Sequence, residues 1–130
     1  MQSRNTPMLD EPKAGRLTIQ YGPADGFEVA ENPPRFSWLP VIEDEAQYVL
    51  RVSMDKAYPA KSTLVFSGIP LNFFTPDTVL PAGNYFWSYA VCDPATGKPT
   101  TRWSMDRTCH VAEGLPQTPL PSRSARYQSA

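Results

Sequence analysis

The chain has 130 residues, 41% of them hydrophobic and 19% charged, the size and make-up of one domain with one core rather than of a disordered chain. Twelve Lys and Arg against thirteen Asp and Glu leave a net charge of −1, which supplies no electrostatic footprint for nucleic acid or for an anionic membrane. No apolar run approaches the roughly 20 residues of a spanning helix, and the opening MQSRNTPMLDEPKAG holds no signal-peptide-type apolar stretch.

Residues 1–15 are polar and without period, and read as a flexible leader. Leu17-Thr18-Ile19-Gln20-Tyr21 alternates apolar and polar, as a short strand closed by Gly22-Pro23 does. AENPPRFSWLP (30–40) follows. A proline pair removes two backbone N–H groups and forces its neighbours toward extended geometry. Arg35 to Trp38 then alternates, so Phe36 and Trp38 share one face and Arg35 and Ser37 the other. Gln47 to Ser53 is the cleanest period-two signal, with Tyr48, Leu50 and Val52 on the inner face.

Met54 to Lys61 reads as a loop with one helical turn broken at Pro59. Thr63 to Ser67, ended by Gly68, and Leu71 to Phe74, set between prolines, read as short strands of edge type. Asn84 to Val91 alternates again, placing Tyr85 and Trp87 inward with Tyr89 and Val91. Leu80 stands five residues before Tyr85, the spacing of a tyrosine corner, in which the phenol bonds back to the backbone upstream. After the turn-rich Asp93 to Pro99, residues Arg102 to Val111 are expected to return as one strand.

Seven short strands separated by Gly, Pro, Asp and Asn turns predict an all-β fold, an antiparallel β-sandwich of immunoglobulin or fibronectin type III kind over residues 16–113, with 114–130 as a linker. The predicted core is Phe36, Trp38, Tyr48, Leu50, Val52, Leu80, Tyr85 and Trp87. Cys92 and Cys109 are expected as free thiols, because the hairpin places them about 25 Å apart along the strands, far beyond the ~7 Å limit for a bridge.

Chemistry-bearing patterns are sparse. The single His110 lacks a nucleophile-and-base partner motif and cannot complete a zinc site with Cys109 alone. The acidic trio Glu43-Asp44-Glu45 reads as a solvated turn, and no phosphate-cradling glycine loop occurs. No catalytic residue, metal site or cofactor is therefore expected. Phe73 and Phe74 cannot both face one side of a strand, so one of them is expected at the surface. With Tyr58 and Phe86 they form the candidate contact patch, for a neighbouring domain or for a sugar ring stacking on aromatic faces.

The runs YGPADGFEVAENPPRFSWLP, QYVLRVSMD, LPAGNYFWSYAV, RWSMDRTCHV and PLPSRSARY, in that order over about residues 20–127, resemble the N-terminal fibronectin-type-III-like domain of bacterial heparinase II/III-like and oligoalginate-lyase-type polysaccharide lyases. The resemblance implies a non-catalytic accessory module in front of an α/α-toroid that performs β-elimination on uronic-acid polysaccharides with a Tyr and a His. It also implies a periplasmic or secreted parent protein. None of that family's catalytic positions falls within these 130 residues. The implied partners are the catalytic domain of the same parent chain and a polysaccharide, with no nucleic acid and no membrane. A second reading stays open: an autonomous carbohydrate- or protein-binding sandwich, or the leading module of a glycosidase such as an α-L-rhamnosidase, whose sandwich domains use a similar P-x-F-x-W and Y-x-W pattern.

Overall fold

Gln47–Ser53 and Gly83–Cys92 are the two longest alternating segments, and they pair antiparallel without a slip from Gln47 opposite Cys92 to Ser53 opposite Phe86. The computed structural model describes residues 21–43 and 45–118. Within them lie seven strands: β1 (Phe27–Glu28), β2 (Phe36–Ser37), β3 (Gln47–Ser53), β4 (Thr63–Ile69), β5 (Phe73–Phe74), β6 (Gly83–Cys92) and β7 (Arg107–Val111). One sheet has the order β1-β7-β6-β3-β4, and β2 pairs with β5 in a second. This is the all-β sandwich that the pattern predicts. Among the described residues no helix is long and apolar enough to cross a membrane.

Period-two patterning decides which side chains meet between the sheets. The eight predicted core residues, Phe36, Trp38, Tyr48, Leu50, Val52, Leu80, Tyr85 and Trp87, are all buried in one cluster. Trp38 stacks on Tyr89 with centroids 5.2 Å apart and meets Tyr48 edge-on at 5.5 Å, while Phe36 meets Trp87 edge-on at 5.3 Å. These are the offset and T-shaped geometries that aromatic quadrupoles favour. The Tyr85 hydroxyl donates to the Pro81 carbonyl at 2.5 Å, so the tyrosine corner is present.

Several expectations are corrected. The predicted strand Leu17–Tyr21 lies outside the described residues except for Tyr21, which sits in a bend; the leader 1–15 lies wholly outside them. A strand not read from the sequence, β1, pairs parallel with β7, so the large sheet is mixed rather than purely antiparallel. Two residues are too few to show a period. The pairing is secured instead by backbone bonds from Gly26 N to Thr108 O and from Val29 N to His110 O. The helical turn is a 3-10 turn at Ala60–Ser62, after Pro59 rather than before it, as proline's missing N–H favours. β4 runs on through Gly68 to Ile69, which that glycine allows by taking φ +70° at a register shift.

The predicted strand Arg102–Val111 begins only at Arg107. Trp87 pairs with Arg107 and Cys92 with Pro99, so five steps along β6 (87 to 92) face eight steps of the returning chain (99 to 107). Three surplus residues cannot lie flat in a ladder. Hydroxyls fill the gaps they leave: Tyr89 N donates to Ser104 Oγ and Val91 N to Thr101 Oγ1.

The sandwich also extends past the expected boundary at 113. Leu115 packs on the core, Asn32 N donates to Pro116 O, and Thr118 N donates to Asn32 O. The Thr118 hydroxyl caps the Pro33 carbonyl at 2.6 Å. Residues 115–118 are thus part of the body, Gly114 turns into them at φ +76°, and the predicted linker beyond 118 lies outside the described residues.

Candidate functional site

The face of the large sheet turned away from the core is where the structure gathers polar and aromatic groups. On β3 and β6 the outward positions are Val49, Arg51 and Ser53 opposite Ala90, Ser88 and Phe86. Val49, Ala90 and Cys92 form a small second cluster covered by Trp103. Trp103 reaches them because it lies in the stretch that carries the three surplus residues.

Arg51 stands at the centre of this group. Its guanidinium carbon lies 3.7 Å from the Tyr58 ring centroid and 4.1 Å from that of Trp103, so the cation stands against two aromatic rings. Its Nε donates to Ser88 Oγ at 2.7 Å, and Nη2 stands 4.0 Å from Asp106 Oδ1. The Tyr58 hydroxyl donates to the same carboxylate oxygen at 2.8 Å. Tyr58 comes to this place through a folded loop. Buried Ser53 accepts from Asp55 N, Asp55 accepts from Ala57 N and Tyr58 N, and Tyr58 itself takes a left-handed φ of 52°.

Burial raises the Tyr58 pKa to about 12, with the hydrogen bond to anionic Asp106 adding to it. The Arg51 pKa is lowered by burial, against the pull of Tyr58 and Asp106. The hydroxyl therefore stays protonated and donating at any physiological pH. Held by Tyr58, Trp103, Ser88 and Asp106, the guanidinium acts as a brace that ties the β3–β4 loop and the irregular 102–106 stretch to the sheet.

The predicted contact patch is divided. Tyr58 and Phe86 belong to this outer face, whereas Phe73 and Phe74 lie on β5 in the opposite sheet. As expected from alternation, the two phenylalanines diverge. Phe74 packs inward against Phe66 at 4.9 Å, and Phe73 carries the Arg35 guanidinium 5.0 Å from its centroid. Sequence reasoning missed Arg51, Ser88, Trp103 and Asp106, the last three standing 37, 52 and 55 positions after Arg51 in the chain. Only the β3–β6 register and the surplus before β7 bring them together.

Elsewhere, His110 Nδ1 shares a hydrogen bond with Asn84 Oδ1 at 2.7 Å, and Cys92 and Cys109 are free and buried. Cys109 pairs with Tyr85 and faces the main core, while Cys92 lies in the outer cluster. Seven positions of β6 separate Tyr85 from Cys92, roughly 23 Å at about 3.3 Å per residue. Among the described residues no group of three or more His, Cys, Asp and Glu is placed to hold a metal ion. No protein-family model matches this chain, and no curated protein matches it.

Proposed function

We propose that the chain is a non-catalytic accessory sandwich that presents a neighbouring catalytic domain in a fixed orientation, in the manner of the N-terminal module of a heparinase II/III-like polysaccharide lyase. The observation that carries this reading is the fastening of residues 115–118 to Asn32 and Pro33. A chain that left the body at 113 would swing about its last strand. Here four further residues are tied down, so whatever follows Thr118 starts from a defined point and direction. The resemblance in NPPRFSW and in the later runs supplies the class of neighbour, a domain acting by β-elimination on uronic-acid polysaccharides, and with it an exported location.

The splitting of Tyr58 and Phe86 from Phe73 and Phe74 favours a scaffold over a sugar-binding surface. Two measurements test the reading. The reading frame flanking the chain is expected to encode an α-helical toroid with a Tyr and His pair, and a catalytic domain of another class there overturns it. Titration of the protein with alginate and heparin oligosaccharides, followed by amide NMR, is expected to leave the spectrum unchanged at millimolar ligand. Shifts clustered on Phe73, Phe74 or Phe86 would instead assign direct polysaccharide binding.

A further inference from the structure

Asp25-Gly26 is the chain's only Asp–Gly pair, and the sequence holds no Asn–Gly. Such a pair is prone to isomerise, because a glycine offers no side chain to keep its amide nitrogen from the preceding carboxyl carbon. Both residues are exposed, Gly26 takes φ +83°, and a Cβ built on it would meet no atom beyond its chain neighbours within 4 Å. Bulk therefore does not protect the site. What holds it is one residue, Thr108. Its N–H and its hydroxyl both donate to Asp25 Oδ1, at 2.7 and 3.2 Å, and its carbonyl accepts from Gly26 N at 2.8 Å. The two groups that would react are thus each tied to β7.

We propose that Asp25–Gly26 is a modification site that the β1–β7 pairing keeps closed, and that isomerises when β1 opens. Gly26 N, freed from Thr108, attacks the Asp25 side-chain carboxyl carbon. The new C–N bond closes a five-membered succinimide, and the carboxyl OH leaves with the amide proton as water. A water molecule then adds to the ring carbonyl next to Cα and breaks that carbon's bond to Gly26 N. The chain now runs through the Asp25 side chain, one methylene longer, with a carboxylate left on Cα. That added methylene moves Gly26–Val29 out of step with Thr108–His110, and the carbonyl carbon whose oxygen capped Thr108 has become part of the backbone. A register error cannot be absorbed by a two-residue strand, so β1 stays open. Isomerisation thus converts a transient opening of this fastening into a permanent one.

The test ages the protein in neutral buffer and, in parallel, in urea, with isoaspartate at position 25 read by enzymatic methyl labelling and peptide mapping. Three hydrogen bonds close the site. Each is worth about fivefold in the open population, so native protein should isomerise roughly a hundredfold more slowly than the unfolded chain. Thr108→Val keeps the shape of the side chain and removes one bond, and should isomerise about fivefold faster than wild type in buffer but at the same rate in urea. Its melting curve confirms that it is folded. Native protein that has acquired isoaspartate should lose amide-exchange protection at Gly26 and Val29 while Val49 and Leu50 in the central ladder keep theirs. Equal wild-type rates in buffer and urea overturn the proposal. So do equal native rates for Thr108→Val and wild type, or an isoaspartate form that stays protected at Gly26 and Val29.

Discussion

Asn32 and Leu80 are joined as two opposed backbone residues would be: the Asn32 Nδ2 group donates to the Leu80 carbonyl at 2.7 Å, and the Leu80 N–H donates to Asn32 Oδ1 at 2.8 Å. The same asparagine uses its own backbone N–H and C=O to hold Pro116 and Thr118. One residue thereby connects the entry of β2, the tyrosine corner and the exit of the chain.

Asn32→Ala should destabilise the protein by about 2 kcal/mol, since each of the two side-chain bonds contributes about 1 kcal/mol. Asn32→Asp should cost more, because a carboxylate would face the Leu80 carbonyl with no proton to give. Urea unfolding with a constant slope checks both. An Asn32→Asp protein as stable as wild type would mean that the paired bonds contribute nothing.

Trp87→Ala should cost about 3–5 kcal/mol by opening a cavity beneath Phe36, because Trp87 is fully buried on the inner face of β6. A loss below about 1 kcal/mol would place the indole outside the core. Tyr85→Phe, which removes only the hydroxyl that reaches Pro81, should cost about 1 kcal/mol.

Arg51→Lys keeps the charge and loses the guanidinium that stands against Tyr58 and Trp103. We expect a loss of about 1 kcal/mol and a red shift of Trp103 emission, read in a Trp38→Phe, Trp87→Phe background if that background folds, and otherwise by the shifted NMR resonance of the Trp103 indole N–H. Equal stability and an unmoved resonance would show that the guanidinium plane does not matter.

Stability should be level up to about pH 9 and fall above it. Burial lifts the Cys109 thiol from 9.0 to about 12, and burial with the Asp106 bond lifts Tyr58 from 10.0 to about 12. Between the ordinary and the raised pKa the unfolded chain has lost the proton and the native one has kept it, so each step up in pH favours unfolding. For Cys109 the slope is at most about 1.4 kcal/mol per pH unit. Cys109→Ala should remove the first part of the fall, which begins near pH 9, about one unit before Tyr58 of the unfolded chain reaches its ordinary 10.0. Native protein should leave both buried thiols unreactive toward a thiol reagent, with two reacting in urea.

Much of the fold was legible because β3 and β6 bury one face each, and a one-sided strand must alternate. Phe36 with Trp38, and Leu80 with Tyr85, carried their geometry in local spacing. β1 was not legible: its pairing depends on Thr108 and His110, some eighty positions away. The stretch 102–106 looked like strand because Arg-Trp-Ser-Met-Asp alternates, yet its three surplus residues are visible only once both ends of the hairpin are in register. The candidate patch failed to assemble for a related reason. Exposure of an aromatic can be read from neighbours in the chain, but which sheet it stands on cannot.

The parallel pairing of β1 with β7 has a mechanical side. Tension applied between the beginning and the end of the body drags two parallel segments past each other lengthwise. The Gly26–Thr108 and Val29–His110 bonds, and those that bind Asn32 to Pro116 and Thr118, are then strained together instead of opening one after another. The β1–β7 and Asn32–Gln117 pairings are parallel, so the body is expected to resist a pull that loads them in shear, while the Gly22–Ser37 bridge ahead of them is antiparallel.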